Sequence, residues 1–289
     1  MPPCWRPQDQ VWLISTRHLP RSRFWSQRCR PTYRYYRYCP CDGWRCSNEC
    51  EFLRSQHPHA MNTMYVHGNR CSRSEAREQG LCVYARLAVN APRGRPIRHV
   101  IWSWPSREIP LRWAILRDAR VKYRRTIPQG YYLGHWLART GCTGRWTLLG
   151  YSYGARTVLN ALQLRAGGSL KGICLPRRCH CHCDRYRVVL WAAATPRGWL
   201  TGCGQHECAF NCVQSGLVFY NPCDPVLRRF QCAICSAHTP ALGLIGLPCR
   251  WSQICQLNAS AVVGKSHSWK RYVNACSLMS CIRSYAYGW

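Results

Sequence analysis

Acidic side chains are scarce in this chain: 289 residues hold 11 Asp and Glu against 41 Lys and Arg, a formal charge of +30. Lysine is nearly absent too, confined to Lys122, Lys171, Lys265 and Lys270, so arginine supplies almost all of the basic charge. No apolar run approaches the roughly 18–20 residues that a membrane-spanning helix needs, which excludes such a span. The opening Met1-Pro2-Pro3-Cys4-Trp5-Arg6 has no apolar h-region, and Val11–Ile14 is too short to serve as one. A soluble, cytoplasmic protein is therefore expected. No internal repeat and no linker rich in Pro, Gly or Ser divides the chain, so one domain over residues 1–289 is the economical expectation. Its first 60 or so residues are the least clearly patterned part.

What is present is arginine and cysteine. The basic residues are spread along the whole chain rather than gathered in one tract. With Arg, Cys, Trp and Gly enriched while Lys and Phe are scarce, this reads as a coding bias before it reads as a nucleic-acid surface. The 23 cysteines are an odd number, so at least one thiol stays unpaired. Without an export signal, most are expected reduced and buried as small hydrophobes.

The elements alternate between strand and helix patterns, which predicts an α/β fold with a mostly parallel central sheet flanked by helices. Strands are expected at 11–16, 33–38, 61–66, 97–104, 145–150, 187–194, 216–220 and 261–264. Asn48 and Glu51 have capping-box spacing ahead of a short helix. Helices are expected over 74–88, interrupted near Gly80, and over 118–139, kinked or split at Pro128. A closing helix is expected over 269–278. After residue 150, Ala155, Val158, Leu159 and Leu162 fall on one helical stripe.

Between that strand and that helix lies Gly150-Tyr151-Ser152-Tyr153-Gly154, a G-x-S-x-G string. Such a string arises by accident in roughly one chain in ten of this length and composition. Its position between strand and helix is what carries weight. A serine there sits on a strained turn, side chains at the two flanking glycines would collide across it, and the helix N-terminus offers free N–H groups to developing negative charge. A plain Gly-rich turn is the alternative.

The scarcity of acids makes the search for partners short. After Ser152 only Asp184, Glu207 and Asp224 remain. Asp184 precedes a strand, the wrong end, and Glu207 lies in a Gly/Cys-rich loop. Asp224, in Asn221-Pro222-Cys223-Asp224-Pro225, directly follows a strand, where loops face the site. Its bland reading is a helix N-cap with Pro225 in the first turn. The downstream imidazoles are His238, in a Cys/Pro-rich loop, and His267, between a short strand and the final helix. His267 is the preferred base. Tyr153, as the residue after the serine, and the His67-Gly68-Asn69-Arg70 loop should supply anion-binding N–H groups, with Gly68 allowing close approach and Asn69 as first donor. Arg70 and His67 are candidate substrate-binding residues.

Together the HGN, WSWPS, GYSYG, NPCDP and GKSHSW segments resemble the α/β-hydrolase-fold serine hydrolases, more narrowly a bacterial branch whose members are uncharacterised, over roughly residues 11–275. The resemblance implies acyl transfer through Ser152, with His267 as general base and Asp224 fixing its tautomer, on a small-molecule ester, thioester or related substrate, with no metal or organic cofactor. The chain departs from the family in its arginine and cysteine load. It also lacks a large lid; residues 197–214 are the expected short cap.

Two rival signals remain. Cys232 and Cys235 with His238 resemble half a zinc site, while Cys39, Cys41, Cys46 and Cys50, and Cys179-His180-Cys181-His182-Cys183, form further clusters. Roughly two C-x-x-C pairs are expected by accident at this cysteine content, so idle thiols are preferred and no metal is assigned. Arg17–Tyr38 holds seven arginines, six aromatics and no acid, a composition suited to single-stranded nucleic acid. An edge hairpin with solvated arginines is preferred, as no RNP, KH or finger pattern accompanies it. A catalytically silent binding protein on the same fold is the other alternative.

Overall fold

The computed structural model describes residues 5–22, 30–109, 115–140, 144–180, 186–234, 239–249 and 251–288. Its centre is a nine-stranded sheet: β1 (Gln10–Ser15), β2 (Arg34–Cys39), β3 (Gly43–Ser47), β4 (Met61–Val66), β5 (Ile97–Ser103), β6 (Trp146–Tyr151), β7 (Tyr186–Trp191), β8 (Val213–Tyr220) and β9 (Ile254–Asn258), in the order β3-β2-β1-β5-β4-β6-β7-β8-β9. From β1 across to β9 every pair is parallel, while β2 and β3 add an antiparallel hairpin at one edge. Every residue of β5 and β6 is buried, as a parallel sheet covered on both faces requires.

The helices are α1 (Glu49–Arg54), α2 (Arg73–Ala88), α3 (Ile115–Thr140), α4 (Tyr153–Arg165), α5 (Pro225–Arg228), α6 (Phe230–Ile234), α7 (Leu242–Ile245), α8 (Ser260–Val263), α9 (Trp269–Asn274) and α10 (Cys276–Tyr287). α3 packs along α4, and α2 packs with α9 and α10. The chain leaves β4 towards β5 on one side and leaves the adjacent β6 towards β7 on the other. The carboxyl ends of β4 and β6 therefore frame a crevice, the position where parallel sheets place ligands.

Several expectations are corrected. α2 runs unbroken through Gly80, which lies so close to Ile101 that any side chain would overlap it. α3 is one helix with Pro128 inside it. Residues 260–263 are a single helical turn, not a strand; the last strand is Ile254–Asn258, and Gly264 (φ +63°) reverses the chain after the turn. The closing helix is two, α9 and α10. Asn48 caps α1 through Glu51 N–H, but the Glu51 carboxylate reaches Ser47 Oγ instead of closing a box; the reciprocal box belongs to Ser72 and Glu75 at the start of α2.

The thiols are also placed otherwise than expected. Among the described free cysteines only Cys71, Cys179 and Cys212 are buried, and the rest are half-buried or exposed. They occupy turns, helices and the edge strands β2, β3 and β9. Within Arg17–Tyr38, Arg17 is half-buried and donates to backbone carbonyls, Tyr35 is in the core, and Arg37 lies beside the Trp12 ring and Glu51. Residues 23–29 of that stretch lie outside the described residues. No described helix is long and apolar enough to cross a membrane.

Candidate functional site

Ser152 sits where β6 ends and α4 begins, with φ +54° and ψ −119°. This backbone region is costly for a residue with a Cβ and persists only where surroundings impose it. The surroundings are visible. Ser152 N–H donates to Trp191 C=O on β7 (3.1 Å), and Ala194 N–H donates to Ser152 C=O (3.3 Å). A Cβ on Gly154 would lie 1.9 Å from Val66 O of β4, and one on Gly150 would lie 2.6 Å from Ala155 Cα. The glycines thus let the turn close against β4 as well as on itself. Ser152 does not cap α4 with its side chain, so its hydroxyl is left for other partners while the first-turn N–H groups, beginning with Tyr153, point out of the helix end.

The hydroxyl partner is His267. Ser152 Oγ lies 3.0 Å from His267 Nε2, and His267 Nδ1 lies 2.7 Å from Asp224 Oδ2. Asp224 is fully buried and uses its other oxygen, Oδ1, to accept from Val226 N–H (2.9 Å) and Leu227 N–H (3.0 Å), capping α5. Both sequence readings of Asp224 describe the same residue, one oxygen each. A carboxylate can only accept, so His267 carries its proton on Nδ1 and presents a bare Nε2 to the serine. The three residues arrive on three different strand ends, after β6, β8 and β9.

Two residues that sequence reading passed over lock this geometry. Asn221, buried at the end of β8, donates from Nδ2 to Gly264 O (2.9 Å) and Ser266 O (3.3 Å), and accepts from Cys223 N–H (3.0 Å). It binds the loop carrying His267 to the loop carrying Asp224. The Tyr151 hydroxyl donates to His267 C=O (2.5 Å), and its ring stands 5.5 Å from the imidazole. Asn221 lies beside the NPCDP segment and Tyr151 occupies an x of the motif; nothing in composition distinguishes either.

The opposite wall is the loop after β4. A Cβ on Gly68 would fall 2.8 Å from the Tyr151 ring and 3.1 Å from Ser152 Cβ, so this backbone lies against the serine. Asn69 Nδ2 donates to Asp118 Oδ2 (3.3 Å), and Asn69 Oδ1 is buried without a hydrogen-bond partner among the described residues. Arg70 (φ +53°) is exposed and pairs with Glu108, with Asp118 beyond at 3.8 Å. Its charge is already answered by two carboxylates. Asp118 was not foreseen: it also accepts from Ile109 N–H (3.2 Å) and from the buried Lys122 ammonium. One residue on, Ala119 C=O accepts from the Tyr153 hydroxyl (3.1 Å). The first turn of α3 therefore grips both walls of the crevice.

His67 is corrected from a substrate-binding residue to a buried support. It is fully enclosed, stacked on Trp104, and accepts from Trp104 N–H at Nε2 (3.2 Å) with Nδ1 3.0 Å from Gly68 O. Burial, with the Arg17 charge beside it, pushes its pKa down to about 3, so it is neutral. Imidazole shape, not charge, holds the loop.

The expected cap, residues 197–214, overlaps β8 at its end; the remainder is strapped to α4, with His206 Nε2 2.8 Å from Asn160 Oδ1 and Cys208 N–H donating to Gln163 Oε1 (2.9 Å). Arg156, one turn beyond Ser152, stacks on Trp199 of this segment and on Tyr123 of α3. No group of three or more His, Cys, Asp or Glu among the described residues is arranged to hold a metal. Asp184, Cys181, His182, Cys183, Cys235 and His238 lie outside the described residues.

No protein-family model matches this chain, and no curated protein matches it. Among solved structures it is similar to esterase 2 of the planctomycete Thermogutta terrifontis with propionate bound, at 12% identity and a TM-score of 0.37, over 86% of this chain and 88% of that one. The same esterase phosphoramylated by tabun gives the same figures. At that TM-score the likeness carries no argument about activity.

Proposed function

We propose that this chain is a serine hydrolase of α/β-hydrolase fold, formed as one domain, that cleaves an ester, thioester or related acyl bond. The observation that carries the reading is the continuous path Ser152 Oγ–His267 Nε2 (3.0 Å) and His267 Nδ1–Asp224 Oδ2 (2.7 Å), started by a serine held at φ +54°. Ser152 attacks the acyl carbon as Nε2 takes its proton; Asp224 holds the imidazole in the accepting tautomer and offsets the imidazolium charge. The carbonyl oxygen becomes an oxyanion, met by the N–H of Tyr153 at the positive end of α4 and by the backbone of the Gly68–Asn69 loop. Collapse breaks the bond to the alcohol or thiol, which leaves with the proton from Nε2. Water, deprotonated by the same imidazole, then releases the acid and restores Ser152. These steps use protein groups and water alone.

A fluorophosphonate probe tests this directly, because it is captured only by a nucleophile with an oxyanion site. The wild-type chain should be labelled and Ser152→Ala should not. Turnover of a small activated ester should fall by about 10⁴-fold or more in that variant. Labelling that persists in Ser152→Ala removes Ser152 as nucleophile. A folded wild-type chain that is never labelled returns the molecule to the class of silent binding proteins.

A further inference from the structure

Seven large aliphatic side chains are exposed among the described residues, and six of them lie at the end of the sheet where Ser152 sits. Ile115 and Leu116 open α3, whose first turn holds Asn69 of the β4 loop and the Tyr153 hydroxyl. Val226 follows Asp224 by two residues, Leu257 is the last but one residue of β9, and Val262 lies in α8 on the way to His267. Ile245 ends α7, which Gly243 fixes to this end of the sheet. Gly243 N–H donates to Ala193 C=O beyond β7 (2.9 Å), and Gly243 C=O accepts from Asn221 N–H beyond β8 (2.8 Å). The seventh, Leu53, lies on α1 at the amino ends of the strands, where Arg98 of β5 donates to Phe52 C=O. Apolar side chains scattered singly over a surface need no explanation, but six gathered at one edge do.

The same edge is basic. Arg117 in the first turn of α3, Arg228 and Arg229 at the end of α5 and Lys265 after α8 are all exposed. The acids that reach this edge are engaged: Glu108 with Arg70, Asp118 with the buried Lys122, and Asp224 with His267. From residue 225 to the last the chain contains no Asp or Glu. No ion pair joins those four cations to a carboxylate among the described residues. Arg228 spends its Nε on Pro222 C=O (3.1 Å), which leaves its charge unneutralised. α3 is tied to α6, which follows α5, by Arg120 donating to Cys232 C=O (3.4 Å) and by the Tyr123 ring 6.1 Å from Phe230. The apolar and basic groups of α3 and α5 therefore belong to one face. We propose that this face docks on a membrane surface carrying anionic phospholipid, with the aliphatic side chains entering the headgroup boundary and the four cations facing lipid phosphates. Aliphatic groups interleaved with basic ones are the combination that an interfacial surface uses. A nucleic-acid platform would instead present rings for stacking, and the large apolar groups exposed here are all aliphatic. The crevice of Ser152 opens on the same face, so a lipid ester would reach it from the bilayer; that consequence alone rests on the hydrolase reading.

Co-sedimentation of the full chain with lipid vesicles at about 150 mM salt, where exposed charges are screened beyond about 8 Å, tests the face. One set of vesicles is phosphatidylcholine alone, and the other carries about one third phosphatidylglycerol. Binding to the anionic set should be about tenfold tighter or more. Ile115→Ser with Val226→Ser alters side chains that are 62% and 53% exposed, outside the core, and should weaken that binding about tenfold or more. Arg228→Gln with Arg229→Gln should weaken it by about fivefold per charge. Arg54→Gln with Arg93→Gln removes the same charge from exposed positions at the other end of the sheet, and should leave binding within about twofold. A loss there as large as in the Arg228 and Arg229 pair, or no loss in the serine pair, overturns the proposal by reducing it to net charge. Absence of binding to the anionic vesicles overturns it outright. If the Arg228 and Arg229 changes weaken binding to oligothymidylate while neither pair alters vesicle binding, the face belongs to nucleic acid and the proposal falls. Ser152→Ala should bind vesicles as wild type does, so this result stands apart from the hydrolase reading.

Discussion

Asp224 shows how much can rest on one side chain: Oδ2 orients His267 while Oδ1 caps α5. Asp224→Asn separates the tasks. The amide oxygen still caps the helix, but an amide N–H facing Nδ1 makes that nitrogen an acceptor and moves the imidazole proton to Nε2, where it can no longer accept from Ser152. Ester turnover should fall by about 10³–10⁴-fold while the thermal midpoint moves little. Asp224→Ala should lose the same turnover and, in addition, about 1 kcal/mol of stability with the cap. Kinetics and a melting curve on the two variants check this; an Asp224→Asn chain that turns over like wild type dismisses the orienting role.

Among the elements, the first turn of α3 has the widest structural consequence. Asp118 and Lys122 are a buried i,i+4 pair, and Asp118 also receives Asn69 Nδ2 from the β4 loop. In Asp118→Asn the Lys122 ammonium, fully buried, loses its counter-charge, a change that costs about 3–5 kcal/mol. Replacing both, Asp118→Asn with Lys122→Met, should recover most of that. Urea denaturation of the single and double variants measures it, and a single-variant loss under about 1 kcal/mol shows the pair to be dispensable. None of this was legible beforehand, because the residues that meet at Asp118 belong to segments far apart in sequence. What was legible had local causes. Met61–Val66 carries strand-forming Thr, Tyr and Val between turn signals and forms a strand over just those residues, and Ala155, Val158, Leu159 and Leu162 are all fully buried in α4. Ser152 and Asp224 could be picked because each stands just past a strand end in a chain with few acids, whereas His267 was picked beside a strand expected at 261–264 that is a helical turn, β9 having ended at Asn258. Asn221 and Tyr151 could not, since their bonds to backbone carbonyls of the His267 loop exist only after folding. β3 and β9 escaped because edge strands are half solvated and carry no apolar run, whereas Ala261-Val262-Val263 looks like a strand but is needed as a turn.

For the molecule as a whole, burial of uncharged imidazoles in a chain of charge +30 sets how it meets acid. Burial pushes both His67 and His99 down to about 3, and His135 to about 4. In the unfolded chain the same rings titrate near 6.5, so between about pH 3 and 6.5 the unfolded state binds more protons than the folded one. Stability therefore rises with pH across that window: the contribution is complete above pH 6.5 and is lost as pH falls towards 3. Asp9 works the other way, since burial raises its pKa and its protonation favours the folded state in acid, but it is one group against several. His99 isolates the effect, because it lies in β5 away from the crevice, with Nδ1 2.8 Å from Thr63 Oγ1 and no hydrogen-bond partner for Nε2 among the described residues. Urea titrations at pH 7 and 4.5 should show wild type losing stability on acidification. His99→Gln, which cannot titrate, should lose about 2 kcal/mol less over the same interval, whatever its stability at pH 7. Parallel pH curves for the two chains would mean that His99 accepts its proton inside the folded protein, and the acid sensitivity would then belong to the net charge alone.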